Sequence, residues 1–167
     1  MNSRRIILLL IVVLALAFGS ASRTASQKSG RNLTVADLKK LRWIEGTWRG
    51  TGDVAKPFFE RYRFENETTL AVDGFEDGTL AKVTDTTRFT LTGGQFSGGS
   101  EGSSYVAVSL DDRSIEFGPA VNVRNSFRWE RESDDVWKAT IMLPANGDKP
   151  ARQRVYKMDR WPQPAKT

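Results

Sequence analysis

The feature that most constrains this chain is a period of two that recurs in one short run after another. Phe58, Glu60, Tyr62 and Phe64 alternate with Phe59, Arg61, Arg63 and Glu65, and Phe127, Trp129 and Arg131 alternate with Arg128 and Glu130. Successive side chains of a strand point to opposite faces, so such runs read as β-strands with one face on a core. Further strands are expected over residues 80–91, 105–110, 114–117, 136–143 and 153–159. Turn signals punctuate them: Asp73-Gly74, Asp77-Gly78, Gly93-Gly94 and Asn146-Gly147 as dipeptides, and Asp111-Asp112-Arg113 and Glu132-Ser133-Asp134-Asp135 as longer links. Short strands at this spacing, with almost no helix between them, predict an all-β fold, an antiparallel barrel or sandwich.

Helix is expected in one place. Thr34 stands three residues before Asp37, a variant capping box, and Leu33 and Leu38 occupy the two positions of a hydrophobic staple. Leu38 and Leu41 then place an apolar stripe on a short helix ending near Arg42 or Trp43. Ser22–Asn32 before it is small, polar and basic, without apolar periodicity, and reads as a disordered tether.

The first 21 residues read as a targeting signal. Arg4 and Arg5 precede an uncharged apolar run of 13 residues, Ile6–Phe18, and Gly19-Ser20-Ala21 supplies the small residues of a cleavage site. A helix needs about 20 such residues to span a bilayer. The expectation is therefore export to a periplasmic or extracellular space, with cleavage after Ala21 and no stable membrane insertion thereafter; an uncleaved anchor is the alternative. Removing this segment takes away two arginines and no acid, so the formal charge falls from +5 to +3. The expected organisation is a signal at 1–21, a linker at 22–32, one barrel domain at 33–162 and a tail at 163–167.

Trp43-Ile44-Glu45-Gly46-Thr47-Trp48-Arg49-Gly50-Thr51-Gly52 follows the helix directly. Gly46-x-Trp48 on a first strand after a short helix resembles the calycin signature of lipocalins. The longer Gly-Thr-Trp-Arg-Gly-x-Gly is similar to the opening of nitrobindin-like barrels. The layout also resembles secreted bacterial lipocalin-like domains of unknown function, whose last strand carries an aromatic and a basic residue, as Tyr156–Arg160 does. The resemblance implies a closed up-and-down barrel of about 8–10 strands with Trp48 at its floor. It also implies a basic side chain, Arg160 or Arg154, lying across that tryptophan, a cation–π contact of roughly 0.5–2 kcal/mol. Gly46, Trp48 and Arg160 are accordingly read as structural. Nitrobindin-like proteins hold haem iron through histidine, and this chain has none. Tyr62 or Tyr105 could ligate haem iron in principle, and no cofactor is expected.

With no histidine and no cysteine, the chain cannot build a Ser-His-Asp or Cys-His pair, a Cys/His zinc site, a thiol redox centre or a disulfide. Gly93–Gly99 lacks the Lys-Ser/Thr ending of a phosphate loop and reads as a flexible hairpin connection. Asp111-Asp112 and Asp134-Asp135 lack calcium-loop spacing and read as turns, so no metal is expected. The arginines are interleaved with acids, as in Glu60-Arg61, Arg63-Glu65 and Arg128–Glu132. Interleaving makes cross-strand charge pairs on a wet surface and gives no basic face for nucleic acid.

Glu60 breaks the binary pattern. If Phe58, Tyr62 and Phe64 face inward, the period of two carries Glu60 inward with them, where an unpaired carboxylate is costly. Arg152, Arg154, Tyr156 and Met158 share one face of the last strand, and an arginine there would be its partner. The other register puts Glu60 outside, beside a neighbouring arginine. The first gives a candidate lumen of Glu60, Tyr62, Phe64, Tyr105, Trp129, Arg154 and Tyr156. The function that follows is a barrel binding a small apolar or amphipathic molecule. Two alternatives stand beside it. One is a barrel enzyme with Glu60 as general acid or base and Tyr62 or an arginine steadying an oxyanion. The other is an interaction module tethered by an uncleaved Ile6–Phe18. Nothing in the sequence points to an oligomeric state.

Overall fold

In a computed structural model, residues 28–29 and 32–162 are described. The expected signal, the rest of the expected tether and the expected tail lie outside them. Ten strands form a closed antiparallel barrel. They are β2 (Gly46–Gly52), β3 (Phe58–Phe64), β4 (Thr69–Phe75), β5 (Val83–Thr92), β6 (Gln95–Gly99), β7 (Ser104–Leu110), β8 (Ser114–Val121), β9 (Ser126–Arg131), β10 (Val136–Leu143) and β11 (Arg152–Arg160). Each strand pairs with its neighbours in sequence, and β11 returns to pair with β2, so the barrel is a simple meander. Closure leaves no free edge, which is how such a sheet avoids pairing with other chains.

The ring is not uniform. Most neighbouring strands pair over four to eight residues, whereas β6 and β7 are in register only at Ser97↔Val106 and Gly98↔Tyr105. Where they diverge, a two-residue strand, β1 (Lys28–Ser29), pairs with Leu110 and Ser109 of β7. This departs from the expected tether: the backbone groups left open on β7 are satisfied by the segment leading into the domain.

Two other expectations change. Asp73-Gly74, expected as a turn, lies inside β4, paired with Arg61 and Glu60 of β3. Gly93-Gly94 makes the turn alone, and the expected flexible stretch after it is strand β6, with Phe96 fully buried. In both places cross-strand pairing overrides the local signal of glycine.

One pole is plugged by the N-terminal segment. Thr34 caps helix α1 (Val35–Leu38) reciprocally: its side chain accepts from the Asp37 amide, and Asp37 Oδ2 accepts from the Thr34 amide at 2.8 Å. The chain continues as a tighter 3-10 turn over Lys39–Ile44. Leu38, Leu41 and Ile44 are at most 1 % exposed and close the core from below. Trp48 sits on them, donating from Nε1 to the Ile44 carbonyl at 2.7 Å. The Arg160 guanidinium lies 4.2 Å from the Trp48 ring centroid and donates from Nη1 to the Glu45 carbonyl at 3.2 Å.

That contact explains the glycine of the Gly-x-Trp motif. Gly46 has φ +128°, which L side chains rarely adopt, and a Cβ there would collide with Arg160 Nη1. The motif is a seat for the arginine: glycine makes room, and tryptophan supplies the ring.

Outside, the charges pair both along and across strands. Glu65 takes Arg63 and Arg88, Asp73 takes Arg63, and Glu130 takes Arg128 and Lys138. The acidic turns are also satisfied internally. Asp111 Oδ1 accepts the Arg113 and Ser114 amides, Asp134 pairs with Arg131, and Asp135 pairs with Arg160. No helix among the described residues is long and apolar enough to cross a membrane.

Candidate ligand-binding site

Above the Trp48 floor the barrel holds a cavity of about 390 Å³. Its wall is aromatic and aliphatic, with Phe58, Tyr62, Trp129, Trp137 and Tyr156 around Glu60. No lysine or arginine lines it among the described residues, and no cluster of three or more metal-ligating side chains occurs among them.

β3 delivers the polar group. Phe58, Glu60 and Tyr62 share the inward face, and Arg61 and Arg63 point out to Phe75, Asp73 and Glu65. Glu60 lies deep in the barrel and is half-buried by surface area because it lines the cavity. Its Oε2 accepts a 2.6 Å hydrogen bond from the Tyr62 hydroxyl. Burial pushes the Glu60 pKa above the ordinary carboxylate value, the Tyr62 hydrogen bond pulls against this, and the Asp85 charge adds to it. Tyr62 is held well above the usual phenol value by burial, then by the Glu60 charge and their hydrogen bond.

Asp85 reaches Glu60 because Gly74 stands between them. Glu60 pairs with Gly74, and Gly74 with Asp85. Gly74 shares the inward parity of Val72, and a Cβ on it would meet the Asp85 carboxylate. A strand with no side chain at that point leaves two carboxylates facing across the gap, one deep and one exposed toward the mouth.

Of the residues expected in the lumen, Glu60, Tyr62, Trp129 and Tyr156 line the cavity. Phe64 does not. It lies at the plugged pole with the Arg42 guanidinium 4.1 Å from its ring centroid. Tyr105 stands behind Phe127, 4.9 Å between ring centroids, and donates to Asn125 Oδ1. Arg154 does not reach Glu60, so the arginine partner expected for that carboxylate is absent. Glu60 is in register with Trp48, and Trp48 with Arg160. Arg154 is six residues further along β11, about 20 Å at strand rise, and pairs with Asp53 at 3.3 Å near the rim. Of the groups expected to steady an oxyanion in the enzyme alternative, Tyr62 lines the cavity with its hydroxyl donating to Glu60, and no arginine lines it among the described residues.

Trp137 is a site residue that the alternation did not single out. It is fully buried at the centre of a ring cluster, its centroid 5.4 Å from Tyr62 and 6.0 Å from both Trp48 and Trp129. Its Nε1–H has no hydrogen-bond partner among the described residues. The available signal was its parity with Ala139 and Ile141 on β10, which also line the cavity.

Neither a family model nor a curated protein matches this sequence. Among solved structures, the chain is similar to a protein of unknown function from the DUF3598 family of Nostoc punctiforme PCC 73102. The identity is 13 % and the TM-score 0.50, covering 78 % of this chain and 50 % of that one. The chain thus spans half the length of that protein, and the likeness is one of fold. It is also similar, at 8 % identity and TM-score 0.37, to EF1p2_mFAP2b, solved bound to DFHBI, over 80 % of this chain and 99 % of that one.

Proposed function

We propose that this protein is an exported barrel of calycin-like architecture that binds a small, partly apolar molecule in its lumen, with Glu60 as the polar anchor. The observation that carries the reading is the cavity of about 390 Å³, whose lining is aromatic and aliphatic around one deep carboxylate. Small-molecule sites are typically ~300–1,000 Å³, mostly apolar, with a few placed polar groups. A barrel built only for stability would fill this space, since interiors pack to crystal-like density. A buried carboxylate without a cation disfavours folding, which fits a group kept for binding. The calycin kinship is supported by Gly46, Trp48 and Arg160 meeting at the floor, and export by the Arg4–Ala21 pattern.

The test is native mass spectrometry of protein purified gently from its own host. The expected result is a chain beginning near Ser22 that carries an extra mass released on denaturation. A protein that carries nothing, and does not bind a neutral polarity-sensitive dye such as Nile red, would overturn the binding reading. A chain that keeps Met1–Ala21 would overturn export.

A further inference from the structure

We propose that the lumen takes an amphipathic cation, its ammonium group on Glu60 and its apolar body among the rings. This inference rests on the binding reading above and adds the charge of the occupant.

Tyr62 donates to Glu60 Oε2, so Glu60 acts as an acceptor, and its second oxygen has no partner among the described residues. A ligand satisfying that oxygen has to bring a donor. The groups packed around the carboxylate decide the charge of that donor. Its own strand offers Phe58 and Tyr62, β2 offers Trp48, β4 offers Gly74, and β5 offers Thr87 and Asp85. The remaining wall offers Val72, Phe89, Phe127, Trp129, Trp137, Tyr156 and aliphatic side chains. Among the described residues, the other formal charge facing Glu60 is Asp85, of the same sign.

An anion in an apolar space with a second anion beside it is a potential well for a cation. An anionic ligand would add a third negative charge. A neutral one would leave the second oxygen facing a weaker donor. The rings act in the same direction, because the faces of tyrosine, phenylalanine and tryptophan attract ammonium groups. Asp85, exposed toward the mouth, extends the negative field outward along the entry route. Arg154, the inward-parity arginine of β11 nearest the cavity, is held by Asp53.

The experiment compares three probes of one shape: 2-phenylethylamine, 2-phenylethanol and phenylacetate. Binding to the purified protein is followed by titration calorimetry near neutral pH, where the amine is charged. The amine is expected to bind at least about tenfold more tightly than the alcohol, the scale of a charge-assisted hydrogen bond over a neutral one. Phenylacetate is expected to be weakest. Glu60→Gln, which still accepts from Tyr62, should abolish the amine's advantage over the alcohol; Asp85→Asn should reduce that advantage by a smaller factor. Equal affinity of amine and alcohol for the unmodified protein overturns the proposal without relying on any variant. An advantage that survives Glu60→Gln overturns it as well. If Nile red still binds in either case, the lumen remains a binding site of another specificity. If neither Nile red nor any of the three probes binds, both readings fail together.

Discussion

Gly46→Ala tests the floor of the barrel with one methyl group. Two costs are built into the position. The backbone φ of +128° is unfavourable for alanine, and holding a non-glycine residue in such a region costs about 1–3 kcal/mol. The new Cβ also occupies the space of Arg160 Nη1. Displacing the guanidinium loosens a cation–π contact worth about 0.5–2 kcal/mol and a hydrogen bond to the Glu45 carbonyl worth about 1 kcal/mol. These are not independent, so the expected loss is about 2–4 kcal/mol rather than their full sum. Urea unfolding followed by tryptophan fluorescence measures it; with a slope of ~1–3 kcal/mol/M, the midpoint should fall by about 1–2 M. A second background separates the two costs. In Arg160→Ala the clash is gone, so adding Gly46→Ala should cost only the backbone strain, at least about 1 kcal/mol less than in the unmodified protein. A Gly46→Ala loss below about 0.5 kcal/mol would refute the whole account. Equal losses in both backgrounds would refute the claim that the glycine makes room for the arginine.

Glu60→Gln should raise stability at neutral pH. The folded-state pKa of Glu60 is raised, so its contribution is most favourable below the unfolded value and is lost as pH rises through the folded one. The gain from glutamine should therefore shrink as pH falls toward 4.5, the ordinary value, which thermal unfolding at several pH values would show. Asp73 should behave oppositely. Burial alone would raise its pKa, but hydrogen bonds from Arg63 and Thr86, with the charges of Arg63 and Arg61, outweigh this and lower it. Asp73→Asn should cost about 1–3 kcal/mol at pH 7, and the cost should fade as pH drops below 3.8; a loss constant down to pH 3 would contradict it. Trp137→Ala should cost about 3–5 kcal/mol. Trp137→Phe should cost under about 2 kcal/mol, because it also removes the unpartnered indole N–H; denaturant midpoints distinguish the two.

Much of the fold was legible because period two and turn chemistry are local. The staple of Leu33 and Leu38 and the Thr34 cap lie within a few residues of one another, and the runs at Phe58–Phe64 and Phe127–Arg131 are strands β3 and β9. What failed was set by neighbours distant in sequence. Asp73-Gly74 carries the composition of a turn, yet Glu60 and Asp85 on either side make it strand. Alternation also reports which face a residue is on, not its height. Arg154, Tyr156 and Met158 do share a face, but shear along the barrel lifts Arg154 to the rim and leaves Tyr156 and Met158 in the wall. Phe64 and Tyr105 were misplaced for the same reason, one toward each pole. Trp137 stayed hidden because Ala139 and Thr140 dilute the alternation of its strand.

The short seam between β6 and β7 gives the barrel a direction of compliance. A ring opens where the fewest hydrogen bonds hold it, and here that is the pair in register at Ser97 and Gly98 alone. Amides of β6 should exchange with solvent sooner than those of β10 and β11, which share eight register positions. Lys28–Ser29 pairs with β7 at Leu110 and Ser109. Opening at the seam would wet Phe96 and the packed half of the core before it reached the cavity, whose lining includes no residue of β6 or β7.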